Sequence, residues 1–103
     1  MSDEIKNEEI EGTDSIKLSK PFNGKEEIVF DFNKITGAAL LKCETKARQT
    51  DKGMVVPQLS MTFQAHVAAA AAGLKYDEII NLPGSDFMAV ISAVSNFLAG
   101  SAR

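Results

Sequence analysis

The chain is poor in the residues on which many small functional sites depend. Its 103 residues include one cysteine, Cys43, and one histidine, His66. A single cysteine cannot form an internal disulfide, which is typical of a protein made for a reducing compartment. No apolar run approaches the roughly 18 residues of a transmembrane helix, and the acidic N-terminus lacks the apolar stretch of a signal peptide. We therefore expect a chain that neither enters a membrane nor is exported.

Positive charge is also scarce. The net charge is −3, with 11 basic and 14 acidic residues, whereas a dedicated nucleic-acid binder normally carries a basic excess. Basic side chains do cluster over residues 42–52, but no aromatic residue there can stack on a base. With 45% hydrophobic and 24% charged residues, the composition predicts one folded globular domain and no nucleic-acid partner.

No arrangement of side chains predicts catalysis or metal binding. The Gly24-Lys25 pair lacks the other residues of a phosphate-binding loop. Cys43 and His66 are a conceivable nucleophile–base pair, but Cys43 falls on the apolar stripe of a predicted helix, where free cysteine acts as a small hydrophobe. His66 is expected at the surface or at a groove edge. We predict no enzyme, no catalytic or metal-binding residue and no cofactor; a Cys43 enzyme and a DNA-binding helix over 42–52 remain alternatives.

The N-terminal residues differ in composition from the rest of the chain. Five of the first eleven residues are acidic, and residues 1–14 show neither helical nor strand periodicity. This pattern predicts a disordered acidic tail over 1–14, followed by a single domain over 15–103.

A β-hairpin is predicted next to the tail. Apolar and polar residues alternate over 15–18 and 26–32, and an Asn-Gly pair between these segments is a strong turn signal. A two-residue turn would place Leu18 and Phe30 on opposite faces of the hairpin. We therefore expect a three-residue loop around a left-handed Gly24, which pairs Leu18 with Phe30.

Three longer helices and one short helix are predicted after the hairpin. We expect Thr36 to cap the first helix and Pro57 to begin the second, which ends at Gly73. Asp77 is expected to cap the short helix, and Ser85 the last one. The order of elements predicts an α+β fold, in which an N-terminal β-hairpin packs on three to four α-helices.

The C-terminal half is unusually apolar. Residues 58–103 hold 26 apolar and only five charged residues in 46 positions. Either these helices form an ordinary core with alanine as filler, or part of their surface meets another chain. For the second case, the candidate partner-binding residues are Phe63, Val67, Phe87, Ile91, Val94 and Leu98.

Seven short motifs between residues 15 and 100 carry a family resemblance. They are Ile16-Lys17-Leu18, Lys20-Pro21-Phe22, Gly24-Lys25-Glu26, Phe30-Asp31-Phe32, Lys34-Ile35-Thr36-Gly37, Leu82-Pro83-Gly84-Ser85-Asp86-Phe87 and Asn96-Phe97-Leu98-Ala99-Gly100. In order and spacing they resemble the tail assembly chaperones of long-tailed bacteriophages and prophages, with the Mu-like and related group the most similar in appearance.

The resemblance implies a non-enzymatic role in virion morphogenesis. Proteins of this family bind the long, helical, aggregation-prone tape measure protein in the bacterial host cytoplasm, and they are absent from the finished virion. They also help the tail tube protein to polymerise around the tape measure protein. Repeated weak binding along such a client favours a homo-oligomer. The alternative is a structural tail component, such as a tube or terminator subunit.

Overall fold

The computed structural model describes residues 13–57 and 60–100. Two strands, β1 (Thr13–Phe22) and β2 (Lys25–Asp31), form an antiparallel hairpin that leads into a short 3-10 helix (Phe32–Lys34). Four helices follow: α1 (Gly37–Thr50), α2 (Met61–Ala72), α3 (Tyr76–Ile80) and α4 (Gly84–Ala99). The predicted α+β fold, a hairpin packed on three to four helices, is confirmed.

The first strand begins earlier than expected. β1 starts at Thr13 and therefore includes two residues that had been assigned to the tail. The remainder of the predicted tail, residues 1–12, lies outside the described part of the chain, as do residues 101–103.

The hairpin closes through a two-residue turn, so the expected three-residue loop is wrong. Phe22 lies opposite Lys25, and both residues of the turn have positive φ, 52° at Asn23 and 79° at Gly24. Two consecutive positive φ angles are the signature of the type I′ turn, whose twist suits a hairpin. The expected left-handed conformation of Gly24 is confirmed.

A bulge in β1 accounts for the wrong pairing. Lys17 lies opposite Glu27, so only one residue of β2 faces the four residues of β1 between Lys17 and Phe22. The three extra residues of β1 shift its pairing with β2 by an odd number of residues. As a result, the apolar residues of β1 before the bulge lie on the same face as those of β2. Phe30 therefore lies opposite Asp14 and not opposite Leu18.

The start of α1 is predicted correctly, and the start of α2 is not. The Thr36 hydroxyl accepts a hydrogen bond from the Ala39 N–H at 3.2 Å, as an N-cap should. The second helix begins at Met61, and the hydroxyl of its N-cap Ser60 accepts the Phe63 N–H at 3.2 Å. Pro57 precedes this start, and its carbonyl accepts the Ser60 N–H at 2.9 Å.

The caps of α3 and α4 also differ from expectation. Lys75 occupies the N-cap of α3, where the Glu78 carboxylate accepts its N–H at 2.9 Å, and Asp77 lies inside the helix. Pro83 occupies the N-cap of α4, so Ser85 falls within the first turn. Asp77 and Glu78 both lie in the first turn of α3, where acidic residues are favoured by the helix dipole. An acidic residue near the start of a helix is therefore easily taken for its cap.

Helix α2 is the centre of the domain. It contacts α1, α3, α4 and strand β2, and all but one of its residues from Phe63 to Ala71 are buried or half-buried. Alanine side chains let neighbouring helices approach closely on several sides. Ala70 is the exposed exception. Gly73, with φ at 72°, ends the helix as predicted.

Helix α4 covers the hairpin through stacked aromatic rings. The Phe32 ring lies 5.6 Å from that of Phe30 and 4.5 Å from that of Phe97, measured between centroids. Phe30 is fully buried, as are Val90 and Val94 on α4. Ring stacking and burial together attach the two-stranded sheet, which is marginal alone, to the helices.

Candidate protein-binding surface

Most of the predicted partner-binding residues lie in the core. Phe63, Val67, Ile91 and Val94 each expose 6% or less of their surface, because α2 and α4 bury one another and the hairpin. These four side chains are therefore not accessible to a partner in this conformation. The other two predicted residues, Phe87 and Leu98, are half-buried and pack against the core.

A different set of large apolar side chains is exposed, which we call the exposed apolar set. The exposed fraction ranges from 43% to 84% for Val29, Leu41, Val55, Val56, Met61, Ile80 and Met88. These residues lie on the outer face of β2, on α1, in the connection that follows α1, and on each of the other helices. None of them was among the predicted contacts.

Two members of this set are methionines, at the start of α2 and near the start of α4. Met61 exposes 51% of its surface and Met88 52%. Methionine is flexible and polarisable, and it is common on surfaces that bind more than one apolar segment. Residue type alone does not distinguish them from core residues, because Met54 is also a methionine and is only 7% exposed.

Helix α1 exposes one large apolar side chain and several charged ones. Leu41 exposes 66% of its surface, and Lys42 and Lys46 are also exposed. Glu44 and Arg48 share the face of Leu41 by the three- and four-residue spacing of a helix. Arg48 donates to the Glu44 carboxylate, with a shortest nitrogen–oxygen distance of 2.9 Å, whereas the two lysines lie about 100° or more around the helix from Leu41.

A buried carboxylate joins the hairpin to α4. Asp86 exposes only 4% of its surface. Its two oxygens accept the Ser19 backbone N–H at 3.0 and 3.1 Å, and one of them also accepts the Ser19 hydroxyl at 2.9 Å. Ser19 lies in the bulge of β1, so its N–H finds this partner 67 residues away along the chain. An acidic residue suits the first turn of a helix on local grounds alone, and nothing local to Asp86 indicates its contact with Ser19.

An open groove follows the same bulge. It has a volume of about 540 Å³ and is lined by Lys17, Leu18, Ser19, Pro21, Glu26 and Glu27. Three of these six side chains are charged, and the pair at 17 and 27 lies directly across the two strands. The mixed lining does not match the apolar stripe of a helical client, so the groove is separate from the exposed apolar set.

Cys43 and His66 do not form a catalytic pair. Cys43 exposes 5% of its surface, and burial raises the pKa of its thiol more than the nearby Lys46 lowers it. His66 is half-buried and stacks on the Tyr76 ring at 4.0 Å; burial, and then Lys46, lower the pKa of His66. No hydrogen bond joins Cys43 to His66 in the described part of the chain. A buried neutral thiol is a poor nucleophile.

Residues 13–57 and 60–100 contain no group of three or more histidine, cysteine or acidic side chains close enough to hold a metal ion. No helix in these two ranges is long and apolar enough to cross a membrane.

Comparison with known proteins identifies no relative of the chain. No family model, no curated protein and no solved structure matches it. What the chain does must therefore be inferred from its own residues.

Proposed function

We propose that the chain is a phage tail assembly chaperone, a non-enzymatic protein that binds the tape measure protein and keeps it soluble in the cytoplasm of the bacterial host. The observation that carries this proposal is the exposed apolar set: within the described residues, seven large apolar side chains remain exposed while others are buried in the core. Apolar side chains on several helices suit a client whose own helices carry apolar stripes.

The position of the motifs in the fold also supports the proposal. The segment at 20–22 follows Ser19, whose partner Asp86 lies in the motif at the start of α4. The stack between Phe32 and Phe97 joins the end of the hairpin to the last motif. Motifs that meet in one packed unit constrain one another, which supports treating them as one pattern.

The exposed residues suggest how such a chaperone acts. Single exposed side chains such as Met61 and Met88 provide weak, adaptable contacts, and several copies along one long client turn weak contacts into stable coverage. A net charge of −3 on each copy keeps the covered client dispersed through mutual repulsion. The tail tube protein replaces these copies as it polymerises around the client.

Co-expression with the tape measure protein of the same genome tests the proposal. The wild-type chain is expected to bring the client into the soluble fraction. A variant carrying Met61→Glu and Met88→Glu is expected to leave the client in the pellet, because charge is costly in an apolar contact. The matched control introduces the same two charges at other exposed positions, Gln49→Glu and Ala70→Glu, and should behave as wild type.

Two results would contradict the proposal. A client that is equally insoluble with and without the wild-type chain removes the chaperone function. Detection of the chain by mass spectrometry in purified virions, at the abundance of a tube or terminator subunit, would favour a structural tail component instead.

A further inference from the structure

The outer edge of β2 is the most regular unpaired backbone in the hairpin. Within the described residues the sheet has two strands, so β2 pairs with β1 along one edge only. The bulge and Pro21 interrupt β1, and both features discourage further pairing on that strand. β2 has neither feature over Lys25–Asp31. A regular strand with a free edge is a template for a further strand.

The two faces of β2 restrict what can pair with this edge. Ile28 and Phe30 are buried against the helices, while Val29 exposes 49% of its surface on the opposite face. A strand that extends the sheet must also direct its apolar face toward the helices. A second copy of β2, related by a twofold axis perpendicular to the sheet, satisfies this requirement when residues of equal parity lie opposite each other.

One such register places opposite charges of the two copies across from each other. If Ile28 lies opposite Ile28 of the second copy, Lys25 lies opposite Asp31 of the second copy, and the twofold axis repeats this pair at the other end of the strand. Lys25 and Asp31 are both exposed. Opposite charges placed directly across two strands stabilise their pairing.

The neighbouring registers that keep the same faces place like charges together. Centring the axis on Val29 sets Glu27 against Asp31 of the second copy, twice. If the axis is centred on Glu27 or on Glu26, that glutamate lies opposite the same glutamate of the second copy. Like charges directly opposite are destabilising, so among these registers the charges of β2 favour the one centred on Ile28, which is the one that sets Lys25 against Asp31.

We propose that two copies of the chain join edge to edge through β2, forming a four-stranded antiparallel sheet with two Lys25–Asp31 ion pairs at its central seam. The contact is short and partly ionic, so it forms at high protein concentration and weakens as salt screens the pairs. This dimer does not depend on the proposed chaperone function, because it needs no client.

Sedimentation velocity over about 10 μM to 1 mM protein tests the dimer, since short interfaces are commonly weak. Lys25→Asp and Asp31→Lys each place like charges at both ends of the strand, and each is expected to weaken the dimer by about tenfold or more. The double variant restores both pairs, so its dimerisation should return to about the wild-type level. Mixing the two single variants should give a heterodimer.

The control variant is Lys52→Asp, which reverses the charge of an exposed lysine that lies outside β2. This variant should dimerise to the same extent as wild type. Circular dichroism verifies that each variant is folded. A wild-type chain that stays monomeric throughout, or a dimer that both single reversals leave intact, would overturn the proposal. Either result is independent of the co-expression experiment, which reports on the client alone.

Discussion

The Asp86 carboxylate accepts three hydrogen bonds from Ser19, two from the backbone N–H and one from the hydroxyl, at 2.9 to 3.1 Å. This contact joins the bulge of β1 to the first turn of α4. It satisfies an N–H that the bulge removes from the strand pairing, and it provides donors for a carboxylate that is 4% exposed. A bulge that would otherwise loosen the hairpin thus becomes the point at which the hairpin is attached to the helices.

Asp86→Asn is expected to lower the free energy of unfolding by about 2 kcal/mol, because the amide keeps one acceptor oxygen of the two and loses the charge that strengthens the hydrogen bonds from Ser19. Urea denaturation measures the change. Asp77→Asn, an exposed change in the first turn of α3, is the control and should cost less than about 0.5 kcal/mol. Equal effects of the two changes would show that the Ser19–Asp86 contact contributes nothing.

Gly24→Ala is expected to destabilise the domain by about 1–2 kcal/mol, because φ at this position is 79° and a β-carbon strains a left-handed residue. Gly53→Ala is a matched control: neither glycine has any heavy atom within 4 Å of the added carbon, and Gly53 does not have positive φ. The control should be neutral or stabilising by up to about 1 kcal/mol. Because neither site is crowded, the difference in thermal stability between the two variants reports the conformational strain at Gly24. Similar losses of stability in both variants would contradict the type I′ turn.

Stability is expected to fall in mild acid partly through His66. Burial, and then Lys46, lower the pKa of His66 below its ordinary value of 6.5, so the unfolded chain takes up a proton more readily than the folded domain. The contribution is complete above pH 6.5 and is lost as the pH falls through the pKa of the folded state. Urea unfolding at pH 7.5 and at pH 5 measures how much unfolding free energy each protein loses between the two pH values. The loss should be smaller for His66→Gln than for wild type, because the carboxylates titrate in both proteins and His66 only in wild type. An identical pH dependence would contradict this account.

The Cys43 thiol is expected to be inert in the folded protein. It is 5% exposed, and burial raises the pKa of Cys43, so little thiolate is present near neutral pH. A disulfide reagent such as dithiodipyridine should react at the rate of unfolding in buffer and immediately in urea. Rapid reaction of the native protein would show that the thiol is accessible, and the alternative of a Cys43 enzyme would then need to be reconsidered.

Local signals in the sequence were sufficient for much of the fold. Thr36 caps α1 and Gly73 ends α2 in left-handed conformation, both as predicted. Each of these features depends on residues within one or two turns of one another. The alternation of apolar residues likewise predicted both strands, although not their pairing.

The long-range features could not be obtained in this way. The bulge of β1 is stabilised by Asp86, which is 67 residues away from Ser19. The alternation of side chains within the hairpin contains no sign of this contact, and it therefore predicts a longer turn in place of the bulge. The alanine-rich sequence of α2 has little periodicity because the helix is buried on several sides. The sequence therefore could not separate the buried Val67 from the exposed Met61, since both are apolar.

The central claim is that the exposed apolar set contacts the client, and that the buried residues first predicted as partner contacts do not. Methyl-labelled methionine spectra of the chain, titrated with the tape measure protein or its helical segments, test this claim most directly. Met61 and Met88 are about half exposed, whereas Met54 is 7% exposed and serves as an internal reference. The account predicts that the Met61 and Met88 signals shift or broaden while the Met54 signal is unchanged. Unchanged Met61 and Met88 signals in the presence of bound client would contradict it.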